Sequence, residues 1–377
     1  MAQQKKRVRV IIIFFIFIAY FILAARPVPR ESVLAPKWLS SLDSGVPVLL
    51  GDNSQTEGQP LPFILGSRYG YVDTLGNFHI NNVTTGGIYL SQDLWTEYDA
   101  EPSSIEIKNI ALQTMITINN PVGYPILLDD RIFILGSEQN TLSEIGENGN
   151  VLWTYEFGAP ITCIDAADGL VLTGSIDGVV EIINTEGRRI FYFEPGGSRY
   201  AVILGCAVSS NGSRIGIISG VDQQRFLMLE RFGTGGDYRV VYHEFLGAGF
   251  RRPVHVLFVD QDRRIVFERP GGFGFYNIKS RHGFRIPLDG EITAVEASGD
   301  QGFLFLINSR SDQWKELVGI RFPQDSRFLV SGNQRDMRDA IFMKASFRSD
   351  DVFLGRTGSM LIAGGGNALI SLELEER

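Results

Sequence analysis

The sequence predicts an all-β fold, a β-propeller of seven four-stranded blades, on three observations: a gap-free internal repeat, a steady rhythm of apolar strands and hairpin turns, and an unusual glycine and phenylalanine content. The 42 glycines fall among short apolar runs, which implies many tight turns, and 26 phenylalanines supply bulk for packing between sheets. At 377 residues the chain can bury a large core. Its 44% apolar and 21% charged residues are the balance of a globular protein.

The repeat has a period of 38 residues. Gly136-Ser137 aligns with Gly174-Ser175, Ile145 with Ile183, Gly149 with Gly187, Trp153 with Phe191, Glu156 with Glu194 and Gly158 with Gly196. A fixed period near 40 built from short strands marks propeller blades, and a β-sandwich has no reason to repeat in this way.

Beyond the aligned pair, the same order of elements recurs. An apolar strand leads to a turn on Asp or Asn, then to a second apolar strand ending in Gly or Ser, a third strand, another turn and an aromatic-rich fourth strand. The first turns are read at Asp129-Asp130, Asp168-Gly169, Asn211-Gly212, Asp262-Arg263, Asp300-Gln301-Gly302 and Asp350-Asp351; Asn-Gly and Asp-Gly tolerate the positive φ that two-residue hairpins need. Second strands are counted at 61–66, 131–136, 170–174, 214–220, 264–268, 303–308 and 352–355, hence seven blades. The 70-residue gap from Gly66 to Gly136 leaves room for an eighth between 87 and 120, which stays open.

In residues 142–153, Leu142, Ile145, Gly149, Asn150 and Trp153 form a pattern that resembles the repeat of quinoprotein-type, PQQ-repeat or WD40-like propellers, where a glycine precedes a docking tryptophan by four. Residues 179–191 repeat it with Phe191 in the tryptophan place, and Gly76-Asn77-Phe78 is a weaker echo. The resemblance covers about 131–196 and is nearest in character to the non-enzymatic outer-membrane assembly propeller of double-membrane bacteria. The quinoprotein dehydrogenases would bring a vicinal cysteine pair and a tryptophan in every blade. Cys163 and Cys206 are far from vicinal and one blade alone keeps the tryptophan, so quinone binding is not carried over and no cofactor is expected.

Lys5, Lys6, Arg7 and Arg9 precede an unbroken apolar run over 10–25. Sixteen residues lie between a signal-peptide core and a full membrane span. A cut after Ala25 would place Leu23 where a small residue is preferred, so an uncleaved anchor is favoured over a cleaved signal peptide. Positive residues ahead of the run put the N-terminus in the cytoplasm and the propeller outside, in the periplasm of a double-membrane bacterium. The expected organisation is an anchor over 1–25, a Pro-rich stalk over 26–60 and the propeller over 61–377.

The net charge is −8, and −12 without the four basic residues at the N-terminus, which argues against nucleic-acid binding. Arginine outnumbers lysine 28 to 7, favouring forked, planar recognition. His79, His243, His255 and His282 are scattered without metal spacing, and no nucleophile elbow or phosphate loop is present. Cys163 and Cys206 each stand six residues before a hairpin glycine, so they occupy one place in adjacent blades, as two separate buried thiols.

Two functions follow. The first is a protein-interaction scaffold held to a membrane and working in envelope assembly; the second is an enzyme or carbohydrate-binding protein that uses the central funnel. No catalytic residue is identified, which favours the scaffold. In a four-stranded meander the first and third turns share one face, and the second turns and inter-blade links share the other. The expected link face collects Arg199, Arg225, Arg251, Arg252, Arg310, Arg335, Arg338 and Arg356, with Phe250 beside two of them. Phe250, Arg251, Arg252, Arg199, Arg335 and Arg338 are therefore the expected contacts for an acidic protein partner.

Overall fold

The computed structural model describes residues 32–50, 58–233, 237–247, 249–297, 302–322 and 338–376, with Phe14 and Tyr20. Met1–Leu34 with Leu374–Arg377 group as one small unit, and Ala35–Glu373 as the unit that carries the propeller. Among the described residues no helix is long and apolar enough to cross a membrane. The expected anchor over 10–25 lies outside the described residues apart from Phe14 and Tyr20.

The described residues form eight sheets, so the propeller has eight blades and not seven. The N-terminal strands β1 (Ser32–Ser41) and β2 (Pro47–Leu49) belong to the last of them. Blade I holds β3 (Leu61–Leu65), β4 (Arg68–Val72) and β5 (Phe78–Val83); blade II holds β6 (Gly87–Leu90), β7 (Leu94–Tyr98), β8 (Ser104–Asn109) and β9 (Thr114–Asn119). Blade III runs β10 (Tyr124–Leu128), β11 (Arg131–Leu135), β12 (Thr141–Ile145) and β13 (Val151–Glu156). Blade IV runs β14 (Ile161–Ala167), β15 (Leu170–Ser175), β16 (Val180–Ile183) and β17 (Arg189–Phe193). Blade V has β18 (Ile203–Val208), β19 (Arg214–Ser219), β20 (Gln224–Phe232) and β21 (Asp237–Gly247). Blade VI has β22 (Val256–Val259), β23 (Arg264–Arg269), β24 (Gly272–Asn277) and β25 (His282–Pro287). Blade VII has β26 (Glu291–Glu296), β27 (Phe303–Ser309), β28 (Trp314–Arg321) and β29 (Ile341–Arg348). Blade VIII joins β30 (Val352–Thr357), β31 (Met360–Gly365) and β32 (Ala368–Glu376) to β1 and β2.

The extra blade is the second, within the gap left open by the strand count. Its turns lack Asp-Gly or Asn-Gly, and β9, sequence TMITIN, is polar and mostly exposed, so the alternation is weak there. The counted strand at 352–355 also sits one place out. It belongs to β30, the first strand of blade VIII, and the second is β31. Asp350-Asp351 is thus a link between blades rather than a hairpin turn.

Within blades the pairing follows the repeat. Asp168 and Gly169 take φ of +53° and +71°, and Asp129 and Asp130 take +50° and +58°, the left-handed pair that a two-residue hairpin requires. A register shift recurs between Glu144 and Ile145 and between Ile182 and Ile183, at equivalent places. Between blades, apolar clusters fill the wedges: Leu172, Ile182, Ile215 and Leu227 between IV and V, and Val266, Phe275, Leu304 and Val318 between VI and VII.

The glycine and tryptophan of the repeat meet across blades. Trp153 on β13 lies on Gly187 of blade IV, where a Cβ would come within 2.6 Å of the indole. Gly187, at φ +72°, therefore serves both the turn and the contact. The same joint closes the ring. Trp38 on β1 is fully buried over Gly76 of blade I, whose absent Cβ would come within 2.8 Å, and its indole N–H donates to the Thr74 carbonyl at 2.8 Å. Part of the Pro-rich segment expected as a stalk is thus built into the propeller, because Ser32–Ser41 carries an apolar set that pairs as a strand.

Asp165 joins blades IV and V. Its carboxylate accepts the Ala166 N–H at 3.0 Å and, across the blade boundary, the Val208 N–H at 2.8 Å. Burial outweighs these two bonds and, helped by the charge of Asp129, pushes its pKa up to about 6. The folded chain therefore keeps a proton that the unfolded chain loses near 3.8. The stability Asp165 confers is fullest below that value, declines as pH rises to about 6, and is flat above.

Two outcomes follow from these contacts. Trp38→Ala should cost about 3–5 kcal/mol in urea denaturation; an unchanged midpoint would contradict closure through β1. Asp165→Asn should abolish the decline between pH 4 and 6, read as the wild-type minus variant stability at each pH. A difference that does not vary with pH would rule out the raised carboxyl.

Candidate functional site

Phe250, Arg251 and Arg252 do lie together, in the link between β21 and β22 on the face of the second turns. Arg252 is not free to meet a partner. Its guanidinium forks onto Glu268, with one bond at 3.1 Å, reaches Glu291 at 2.7 Å, and stacks over Phe250 at 4.9 Å. Glu268 is 2% exposed. Burial alone would raise its pKa, but bonds from His255 and Arg252 hold the carboxyl below its usual value. Phe250 is half-buried against the apolar cluster between blades V and VI. Arg251 is exposed and makes no ion pair among the described residues.

The other expected contacts are dispersed. Arg199 is exposed in the link from blade IV to V, where its N–H meets Asp222 at 3.4 Å. Arg338 opens a short 3-10 turn before β29, which places it with the third turn of blade VII on the opposite face. Arg356 is buried near the first turn of blade VIII, also away from the links. Arg335 lies outside the described residues. The link face also presents exposed Asp99, Glu101, Glu138, Asp177, Asp222, Asp350 and Asp351, so the expected basic surface is not formed there.

The opposite face holds a better-formed site. A cleft of about 540 Å³ opens between blades V and VI, within the size range of ligand pockets. Its floor is Met228, Tyr276 and Ile278, with Tyr242 stacked on Tyr276 at 4.0 Å between ring centroids. Its rim carries Arg214, Arg263, Lys279 and Arg281 against the acids Glu230 and Asp262. Both acids are engaged: Arg214 holds Glu230 at 2.8 Å, and Asp262 accepts from the Ser210 N–H at 2.8 Å and hydroxyl at 2.5 Å. Lys279 and Arg281 are exposed with no ion pair among the described residues. The excess charge of the cleft is therefore positive and available.

The backbone around the cleft is unusual. Asp260, Gln261 and Asp262 take φ of +56°, +54° and +57° in succession, and Arg281 takes +57°. These are four of ten such non-glycine residues among those described, and left-handed backbone is costly for L residues. Named bonds hold the loops in this form. Buried Asp260 pairs with both Arg263 and Arg264, and the Asn277 side chain accepts the Ser280 N–H at 2.9 Å. Sequence reading took Asp262-Arg263 as a plain turn and passed over Lys279 and Arg281. The usable signal was that this third turn, Lys279-Ser280-Arg281, is cationic where blades III and IV carry Glu147 and Glu186.

Cys163 and Cys206, expected as two separate buried thiols, are both free and half-buried, packed on the apolar cluster at the boundary of blades IV and V. Among the described residues no group of three His, Cys, Asp or Glu is placed to hold a metal ion.

Comparison with known proteins agrees with this architecture. An uncharacterized protein of Treponema pallidum (strain Nichols) is 23% identical over 362 residues, spanning 95% of this chain and 89% of that one. BamB from Moraxella catarrhalis superposes with a TM-score of 0.57 at 14% identity, covering 90% of this chain and all of that one. A chain of a mitotic checkpoint complex gives 0.55 at 10% identity over 86% of this chain and 94% of its own. The fold is thus that of BamB, as the repeat at 131–196 implied. A family model described as a beta-propeller protein matches residues 1–374, and this chain belongs to that family.

Proposed function

We propose that this chain is a membrane-anchored, extracytoplasmic interaction scaffold of the cell envelope, and that an acidic segment of its protein partner seats in the cleft between blades V and VI. The observation that carries the docking site is the pair Lys279 and Arg281, unmatched at the mouth of a cleft whose own acids are already bound. The anchor rests on the basic residues ahead of the apolar run at 10–25. The likeness to BamB, and to a chain of a complex, supports an interaction role. Charge complementarity of this kind sets orientation and capture rate more than raw affinity. Arg251 is a secondary contact on the other face; Arg252 is structural.

Lys279→Glu with Arg281→Glu should weaken capture of partners from detergent-solubilised membranes about tenfold at low salt, with the difference shrinking as ionic strength rises. Capture and salt sensitivity both equal to wild type would exclude the cleft. Arg252→Ala should instead lose about 3 kcal/mol of stability, because buried Glu268 is left with His255 alone against its charge. The anchor has its own check: the full-length protein should stay in the membrane pellet after alkaline carbonate extraction, whereas a mature N-terminus at Arg26 would mean a cleaved signal peptide.

A further inference from the structure

Strands β14 and β18 are the first strands of neighbouring blades and run side by side in the same direction. Two hydrogen bonds fix their register. The Thr162 hydroxyl donates to the Ile203 carbonyl, 41 residues on, and the Val208 N–H donates to Asp165, 43 residues back. Cys163 and Cys206 lie between these two ties and are themselves 43 residues apart, so each faces the other across the boundary. Both pack on one apolar cluster with Ile203 and Leu172. Gly174, paired with Cys163 on the next strand, keeps the space open: a Cβ there would come within 2.7 Å of the Cys163 sulfur and 2.4 Å of Ile203. The neighbouring Cys163 thiol, together with burial, pushes the Cys206 thiol well up.

We propose that Cys163 and Cys206 form an oxidative modification site, a disulfide that staples blade IV to blade V, made by exchange with an external disulfide. One protein thiolate attacks a sulfur of the external disulfide, giving a mixed disulfide and releasing one external thiol. The second protein thiol then attacks the protein sulfur of that intermediate and releases the other external thiol. Two protein S–H bonds are lost and two external S–H bonds gained, so the external disulfide takes up the two electrons and no net proton is released. The raised Cys206 thiol makes the exchange slow near neutrality and faster in mild alkali. No other cysteine in the chain competes.

The test uses purified folded protein with oxidised glutathione in mild alkali, so its outcome does not depend on where the propeller resides. The expected result is a mass lower by two hydrogens, loss of both alkylatable thiols, and a linked Cys163–Cys206 peptide that dithiothreitol separates. The oxidised form should melt about 5–10 °C higher. Cys163→Ser should give no linked peptide and leave the melting temperature unmoved by the oxidant. Two thiols that remain alkylatable, glutathione adducts without a linked peptide, or a link that appears only in denaturant would each overturn the proposal.

Discussion

Trp38 and Gly76 join the two sides of a ring that the covalent chain leaves open. β1 pairs with β32, and its tryptophan crosses to the β4–β5 turn of the next blade, where glycine leaves room for the indole. A propeller without such a joint would expose the edge of β32 and the apolar wedge between blades VIII and I, where Leu61, Phe63, Met360 and Ile362 now pack. The outer edge of β1 is covered in turn by β2, a strand of three residues that begins with Pro47. A short edge strand carrying proline is a poor template for a further strand.

What was legible in the sequence follows the physics of each region. Over 131–196 the turns carry Asp-Gly chemistry and the strands alternate cleanly, so the blade could be read residue by residue. Blade II has neither signal, and its existence showed only as a gap. The closing blade was hidden for another reason: its strands come from both ends of the sequence, so no window contains them together. Trp38 occupies the same fourth-strand place as Trp153 and, like it, docks on a glycine of the following blade, Gly76, 38 residues on. The cleft between blades V and VI was not legible at all. It depends on four left-handed residues in two turns of blade VI, and on blade V residues that meet them only once the two sheets pack.

The arginine-rich composition finds its use inside the blades. Arg131 forks onto Glu144 with bonds of 2.9 and 2.6 Å, Arg214 holds Glu230, and Arg269 holds Glu244 at 2.6 Å with neither side chain more than a tenth exposed. A planar guanidinium can satisfy two carboxylate oxygens at once, and a lysine in these positions would leave one of them short. Counting arginines therefore overstated the basic surface. The cations left over for recognition are few, and two of them sit at one cleft.

The joint at Trp38 also fixes an order of events during synthesis. About 330 residues separate Ser41 from Ala368, the start of its partner strand. At ribosomal speeds of about 5–20 residues per second, β1 emerges roughly 15 to 65 seconds before the strand that covers its edge. During that interval the tryptophan and the open edge have only the growing chain, or a chaperone, for company. The nascent propeller is thus an incomplete arc, and the step that commits it to the native state is the arrival of its last strand.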